Sequence, residues 1–167
     1  MTEERSQAWS RRLFCTAALF AAASTWALEP PSGVVVLTVS GSGVQGKADF
    51  DMAMLAALPQ HSFTTKTPWY PAAHKFTGPL LRDVLTASGA RGQLIEAIAI
   101  NDYKVSIPTT DAQQRNVIVA RLLDDKPMAL RDKGPLFIIY PFDSDEQLRN
   151  SVFYSRAAWQ LKALRIK

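Results

Sequence analysis

The stretch LIEAIAINDYKVSI (residues 94–107) contains two apolar segments separated by a short polar break. The break, Asn101-Asp102, is a pair of residues that favour tight turns, and Tyr103, Val105 and Ile107 alternate with polar residues after it. Alternation of this kind is typical of a strand with one buried face. The stretch therefore predicts a β-hairpin of two antiparallel strands that turns at residues 101–102.

Further strands and short helices are predicted on both sides of this hairpin. Segments rich in β-branched or alternating apolar residues predict strands at 34–39, 61–67, 117–122, 136–140 and 161–166. Apolar residues at helical spacing predict short helices at 52–58 (capped by Asp49 or Asp51), 80–88 and 111–115. Residues 68–75 are predicted to form a loop, and 147–154 are ambiguous. The sum is an α+β domain with a mixed, mostly antiparallel sheet.

The composition is typical of an ordinary globular protein and argues against some classes of function. The 167 residues are 47% apolar, carry a formal net charge of +4 and include one cysteine, Cys15. This length allows one domain with its own core. So small a charge, without a dense basic run, does not favour nucleic-acid binding.

The first 27 residues predict an export signal. Residues 1–12 are polar and end in Arg11-Arg12, residues 13–23 are apolar, and Thr25-Trp26-Ala27 places small residues where a signal peptidase reads. The apolar segment is shorter than the roughly 20 residues of a bilayer span. We therefore expect cleavage near Ala27 and a periplasmic domain over residues 28–167. Residues 10–14 also resemble the twin-arginine pattern, so both export routes stay open.

Familiar catalytic and metal-binding patterns are missing from the sequence. The two histidines, His61 and His74, lie in no Gly-x-Ser-x-Gly context and have no cluster of Cys, Asp or Glu at metal-ligand spacing. No glycine-rich phosphate-binding stretch occurs either. The absence of these patterns from the sequence disfavours a hydrolase triad, a side-chain metal site and a nucleotide site.

Aromatic, amide, carboxylate and arginine side chains are concentrated in the predicted loops, where binding groups often lie. Aromatic rings stack on flat heterocycles, carboxylates accept from amino groups, and arginines donate to carbonyl oxygens. Each residue alone could equally be a core aromatic or part of a surface ion pair, so only the collection favours a site for a flat polar heterocycle. Its members are Trp69, Tyr70, Asn101, Asp102, Tyr103, Arg131, Asp132, Lys133, Tyr140, Asp143, Arg149, Asn150, Tyr154, Arg156 and Trp159.

Several short motifs together resemble the small exported proteins of the molybdopterin-binding oxidoreductase superfamily. The resemblance extends from about Val34 to Lys167 and implies the sulfite-oxidase fold, a mixed sheet-and-barrel α+β domain. The motifs are Thr-Pro-Trp (67–69), Phe-Thr-Gly-Pro-Leu-Leu-Arg-Asp (76–83), Asn-Asp-Tyr (101–103), Arg-Asp-Lys-Gly-Pro (131–135), Tyr-Pro-Phe-Asp (140–143), Leu-Arg-Asn (148–150) and Tyr-Ser-Arg-x-x-Trp-Gln-Leu (154–161).

One departure from the superfamily pattern concerns the metal. Catalytic members hold molybdenum through a cysteine a few residues before a tryptophan, and the corresponding position here, four residues before Trp69, is Thr65. A threonine hydroxyl is a poor ligand for such a metal centre. In this respect the chain is similar to PruR-type periplasmic regulators, which bind a reduced pterin without molybdenum. They signal to the periplasmic sensor domain of an inner-membrane cyclic-di-GMP enzyme.

By this resemblance we expect a reduced pterin to bind against the loops near residues 65–69, 101–103 and 140–156. Trp69 or Tyr154 would stack on the pterin, Asp143 or Asp102 would accept from its amino-pyrimidine edge, and Arg156 and Arg149 would donate to its oxygens. The expected ligand-binding residues are Thr65, Trp69, Asp102, Tyr103, Asp143, Arg149, Tyr154, Ser155 and Arg156.

Two other functions remain open from the sequence. One is a molybdopterin-dependent oxidoreductase with a metal ligand other than cysteine, which a twin-arginine-like signal would suit because that route exports folded proteins. The other is a fold used only for protein contact, with an empty cleft.

Overall fold

The computed structural model describes residues 29–167. The predicted export signal, residues 1–27 with cleavage near Ala27, lies outside the described residues. None of the helices within residues 29–167 has the length and apolar character of a membrane span.

The described chain forms strands interspersed with short helices, which confirms the α+β class. The strands are β1 (Val35–Gly41), β2 (Lys47–Asp51), β3 (Gln60–Thr67), β4 (Tyr70–Pro79), β5 (Leu94–Ala99), β6 (Lys104–Pro108), β7 (Ile118–Ala120), β8 (Leu122–Leu123), β9 (Lys126–Pro127), β10 (Phe137–Ile139) and β11 (Leu161–Ile166). The α-helices are α1 (Met52–Ala57), α2 (Leu81–Ala87), α3 (Thr109–Gln114) and α4 (Ser151–Arg156), with 3-10 turns at Leu130–Asp132 and Glu146–Leu148.

The strands form three hydrogen-bonded sheets. Five strands pair in the order β2-β1-β11-β5-β6, four in the order β3-β4-β8-β9, and β10 pairs with β7. Only β1 and β11 run parallel to each other among these pairs; the others are antiparallel. Single bridges, Leu80 to Ile118 and Phe137 to Trp159, connect further segments. A mixed, mostly antiparallel architecture is therefore confirmed.

The hairpin predicted at residues 94–107 is present. Strands β5 and β6 pair antiparallel with Ile95 opposite Ile107 and Ala97 opposite Val105. Asp102 in the connecting turn has a positive φ of 64°, a backbone conformation that Asp tolerates better than most residues. The apolar face of the hairpin lies in the core, where Ile95 and Ile107 are fully buried.

The predicted loop at residues 68–75 is wrong. Only Pro68 and Trp69 form a turn, and β4 begins at Tyr70 and runs unbroken to Pro79. Strand β8 pairs with β4 only at Phe76 and Thr77, so the first half of β4 has β3 as its neighbour on one side. The missing amide of Pro71 is tolerated there because that stretch of β4 is an edge.

Other predicted elements differ in extent. Asp51, rather than Asp49, caps α1, since its carboxylate accepts from the Met54 amide at 2.8 Å. The single strand predicted at 117–122 is two strands, β7 and β8, interrupted at Arg121. The ambiguous segment 147–154 contains most of a 3-10 turn and the first part of α4.

Gly78 allows β4 and β7 to approach closely. A Cβ atom at this position would collide with the Val119 carbonyl oxygen. The glycine in the Phe-Thr-Gly-Pro motif therefore lets two backbones meet in the core beside Phe76, which is fully buried.

Candidate functional site

A cavity of about 400 Å³ lies where three parts of the fold meet. These are the turn between β3 and β4, the turn between β5 and β6, and α4 with the segment that follows it. We call it the aromatic cavity; its lining is mostly apolar and, among the described residues, contains no Asp, Glu, His, Lys or Arg. The lining residues are Pro68, Trp69, Ala99, Asn101, Tyr103, Ser151, Tyr154, Ser155, Ala157, Ala158 and Trp159.

Trp69 forms one wall of the aromatic cavity at the tip of the β3–β4 hairpin. Its ring centroid lies 5.3 Å from that of Trp159, 5.5 Å from that of Phe137 and 6.2 Å from that of Tyr154. Tilted and edge-to-face packing at these separations is favourable for aromatic rings. Because neighbouring rings surround it, Trp69 is held in place before any ligand binds.

Tyr103 connects the β5–β6 turn to α4 across the cavity. Its phenol hydroxyl donates to the Ser155 carbonyl oxygen at 3.1 Å, while 46% of the residue stays exposed. In the same turn, the Asn101 side-chain oxygen accepts from the Tyr103 amide at 3.2 Å. This leaves the Asn101 amide group as a polar donor in a mostly apolar lining.

Helix α4 is capped at its start and anchored at its end. The Asn150 side-chain oxygen accepts from the Val152 and Phe153 amides. The Arg156 guanidinium pairs with Asp111 at 2.8 Å, and the guanidinium carbons of Arg156 and Arg115 lie 5.2 and 5.0 Å from the Phe153 ring centroid. These contacts fix the helix that carries Tyr154 and Ser155 into the cavity.

A buried polar group supports this anchor. Asp111 is 7% exposed and also accepts from the Tyr140 hydroxyl at 2.9 Å. Burial, together with the neighbouring Asp111 charge, raises the pKa of Tyr140 well above its usual value. Tyr140 therefore stays protonated and serves as a hydrogen-bond donor to Asp111.

Thr65 belongs to a second arrangement, which we call the Thr65 junction and define as Thr65, Lys66, Phe142, Asp143 and Arg149. The Thr65 hydroxyl accepts from the Asp143 amide at 3.1 Å, and the Lys66 amide donates to the Asp143 carboxylate at 2.7 Å. Arg149 donates from Nε to the Phe142 carbonyl at 3.0 Å and lies 3.4 Å from the Asp143 carboxylate. The junction ties the loop after β10 to the end of β3.

The nine residues expected to bind the ligand are divided among four places. Trp69, Tyr103, Tyr154 and Ser155 line the aromatic cavity. Thr65, Asp143 and Arg149 form the Thr65 junction, and Arg156 pairs with Asp111. Asp102 is exposed and pairs with Lys162 at 2.8 Å, which lowers the pKa of Asp102. The ligand role of all nine residues stays a prediction, and four of them share one cavity.

Several lining residues were not assigned a ligand role from the sequence. Asn101 and Trp159 belong to the polar and aromatic collection, and the spacing of Trp159 from Tyr154 and Ser155 could have placed all three on one wall. The small residues Ala99, Ala157 and Ala158 carry no chemical signal. They matter because their short side chains leave the volume open.

The comparisons with known proteins show the fold alone. No family model matches the chain, and no curated protein matches it at a significant level. Among solved structures, it is similar to the sulfane dehydrogenase SoxCD from Paracoccus pantotrophus, with a TM-score of 0.60 at 14% identity. The likeness covers 78% of this chain and 37% of that one, so the chain spans little more than a third of the length of the protein it matches.

The donor set at Thr65 does not fit a molybdenum site of the superfamily type. Thr65 is 1% exposed and its hydroxyl already accepts from the Asp143 amide. An alcohol is a weak ligand where a thiolate is expected. Within residues 29–167, no three His, Cys, Asp or Glu side chains lie close enough together to hold a metal ion.

Proposed function

We propose that this protein binds a reduced pterin in the aromatic cavity, without molybdenum, and acts as a ligand-dependent periplasmic regulator. The observation that carries the proposal is the cavity itself, an apolar space of about 400 Å³ lined by four aromatic side chains. Small-molecule sites typically have volumes of roughly 300 to 1,000 Å³ and combine apolar walls with few polar groups.

The lining offers both kinds of contact that a pterin needs. Trp69 and Tyr154 supply ring surface for a flat bicyclic heterocycle, as does the partly exposed Tyr103. The Asn101 amide group and the Ser151 hydroxyl supply polar contacts for the amino-pyrimidine edge. Asp102 and Asp143, by contrast, already pair with Lys162 and with the Lys66 amide, so Asn101 is the better candidate for that edge.

The proposed absence of molybdenum rests on Thr65. Its hydroxyl is buried and accepts a hydrogen bond within the Thr65 junction, so it is not free to bind a metal. The aromatic cavity would then bind the organic part of the superfamily ligand without the metal. The likeness to a dehydrogenase fold supports a distant relation to molybdopterin-binding proteins. No contact in the described residues favours the alternative of a molybdopterin oxidoreductase with another metal ligand.

The regulatory part of the proposal rests on the resemblance to PruR-type proteins. The partner would be the periplasmic domain of an inner-membrane cyclic-di-GMP enzyme. Three exposed large apolar side chains, Ile100, Tyr103 and Val152, belong to the β5–β6 turn and α4, which are two of the three parts of the fold that border the cavity. A partner that covers this rim would sense whether the cavity is filled, since binding to a filled and an empty cavity would differ in free energy.

Calorimetric titration with a reduced pterin tests the binding proposal. We expect saturable one-to-one binding to the wild-type protein and about fivefold weaker binding to Tyr103→Ala, since one aromatic contact contributes about 1 kcal/mol. Tyr103→Phe keeps the ring and should bind nearly as well as the wild type. Absence of binding at high micromolar pterin would contradict the proposal.

A matched control separates ligand contact from damage to the hairpin. Lys104→Ala changes an exposed side chain next to Tyr103 that does not line the cavity. It should leave pterin affinity unchanged, and an equal loss in Lys104→Ala would show that the effect is not due to the cavity.

Cellular cyclic-di-GMP tests the regulatory proposal separately. Deleting the gene for the protein should change the cyclic-di-GMP level, wild-type protein should restore it, and Tyr103→Ala should restore it incompletely. If Tyr103→Ala restores the level fully while its pterin affinity is reduced, the fold signals by protein contact with no need of the ligand.

A further inference from the structure

A second cleft lies at the other end of the β5–β6 hairpin. It has a volume of about 350 Å³ and is formed by α2 with the segment after it, by α3 and by the end of β11. The aromatic cavity contacts the hairpin turn at Ala99, Asn101 and Tyr103, whereas this cleft borders the point where β5 begins and β6 ends. The six residues of β5 span roughly 20 Å, so the two are separate. We call the second space the arginine cleft.

Arg82 and Arg91 are both among the residues that line the arginine cleft. Neither guanidinium takes part in an ion pair found within residues 29–167. No Asp or Glu of the described residues lines the cleft, and Asp83, next to Arg82 in sequence, is not part of its wall. Two positive charges therefore border one concave space without an acidic partner among residues 29–167.

The rest of the wall combines apolar and polar groups. Leu85, Ala90, Ala112 and Ile166 form an apolar surface beside the two arginines. The Thr86 and Thr109 hydroxyls donate to the carbonyl oxygens of Arg82 and Gln93, which leaves the Gln113 amide group as a further donor. An anion with an attached apolar body would contact both the arginines and the apolar surface, whereas a bare ion would contact only the arginines.

We propose that the arginine cleft binds a small organic oxyanion, with its phosphate or carboxylate group on Arg82 and Arg91 and its apolar body against Leu85 and Ile166. Guanidinium groups bind such oxygens through paired, charge-assisted hydrogen bonds. The cleft has the volume of a small-molecule site and exceeds the needs of a single phosphate ion. This site is independent of the proposed pterin site.

Three probe anions test the proposal on the exported protein by calorimetry: inorganic phosphate, phenyl phosphate and benzoate. At least one of the two organic anions should bind saturably and more tightly than inorganic phosphate, and the tighter of the two identifies the head group. The double variant Arg82→Ala/Arg91→Ala should bind that anion at least about tenfold more weakly, since the loss of even one charge-assisted hydrogen bond weakens binding about tenfold or more. The proposal is overturned if none of the probes saturates.

A charge-matched control and a map of the site complete the test. Lys126→Ala/Arg131→Ala removes two exposed positive charges elsewhere and should leave affinity unchanged; an equal loss there would mean general attraction to a basic surface. In the wild-type protein, amide NMR shifts on adding the probe should fall at residues 82–93 and 109–113. Shifts confined to residues 99–103 and 151–159 would overturn the proposal by placing the anion in the aromatic cavity, whatever the stability of the variants.

Discussion

The aromatic cavity and the Thr65 junction both include residues at one end of the β3–β4 hairpin, only four positions apart along the chain. In the junction, the Thr65 hydroxyl, the Asp143 carboxylate and the Arg149 guanidinium each already have a partner within the protein. In the cavity, Tyr103 and the Asn101 amide group keep exposed surface or free hydrogen-bonding capacity. Polar residue types alone therefore do not identify a ligand site; what decides it is whether their groups are still free.

The two regions therefore have different roles, the junction in stability and the aromatic cavity in ligand binding. We expect substitutions in the junction to lower the free energy of unfolding without changing ligand affinity, because its groups act on each other. Substitutions of exposed cavity residues should do the reverse. Trp69 belongs to both categories, since it lines the cavity and packs among Phe137, Tyr154 and Trp159.

Trp69→Ala should have the largest effect. Removing this ring takes away several aromatic contacts at once and should lower the free energy of unfolding by about 3 kcal/mol, as for other large-to-small changes in packed clusters. Pterin binding should fall beyond detection. Chemical denaturation and calorimetry measure the two effects.

Trp69→Phe serves as the control, because it keeps a ring of smaller size. It should recover most of the stability and part of the binding. A Trp69→Ala protein that binds pterin normally would contradict the role of the aromatic cavity.

Thr65→Val should have the next largest effect and act on stability alone. The change keeps the side-chain shape but removes the acceptor of a partly buried hydrogen bond from the Asp143 amide, which costs about 1 kcal/mol. Pterin affinity should equal that of the wild type. Denaturant midpoints report the first quantity and calorimetric titration the second.

Thr64→Val is the matched control, because Thr64 is an exposed threonine on the same strand. It should change neither quantity. A loss of pterin affinity in Thr65→Val but not in Thr64→Val would instead make Thr65 part of the ligand site.

The smallest effect should come from acid acting on Asp51, which lies outside both regions. Asp51 accepts from the Met54 and Gly33 amides, which lowers the pKa of its carboxyl below the usual value near 3.8. A carboxyl with a lowered pKa in the folded state stabilises the fold above its usual pKa, and this stabilisation is lost as the pH falls through that range. Denaturation measured against pH should therefore show a decline below about pH 4.

Asp51→Asn should flatten that decline in stability. Pterin affinity, by contrast, should not depend on pH through residues of the cavity lining. The described lining contains no Asp, Glu or His, so the protein contributes no change in pterin affinity between about pH 6.5 and 8. A steep change of affinity in this window that persists with a non-titrating analogue would implicate a titratable group outside the lining.

The sequence predicted the elements whose signals are local. The turn at Asn101-Asp102, a helix cap at Asp49 or Asp51 and the strand at 161–166 depend on residues close together along the chain. The structure contains all three, with Asp51 as the cap. The loop expected at residues 68–75 was wrong because Pro71 and the polar residues around it signal a break. Strand β4 instead tolerates them along an edge that pairs with β3 alone.

The candidate site was predictable only in part for a similar reason. Aromatic residues such as Trp69 and Tyr154 are conspicuous in sequence, and they line the cavity. Whether Arg156 or Asp143 is free to bind depends on Asp111 and Lys66, which are distant in sequence from them. Three-dimensional pairing of this kind leaves no pattern in a single sequence, and neither does the open volume beside Ala157 and Ala158.

Amide NMR mapping with a reduced pterin tests the central claim most directly, because one spectrum reports on the cavity and the junction together. We predict saturable shifts at residues 99–103 and 151–159, with small changes at Lys66 and residues 143–149. Shifts centred on Lys66, Asp143 and Arg149, with residues 99–103 unchanged, would contradict the account and place the ligand at the Thr65 junction.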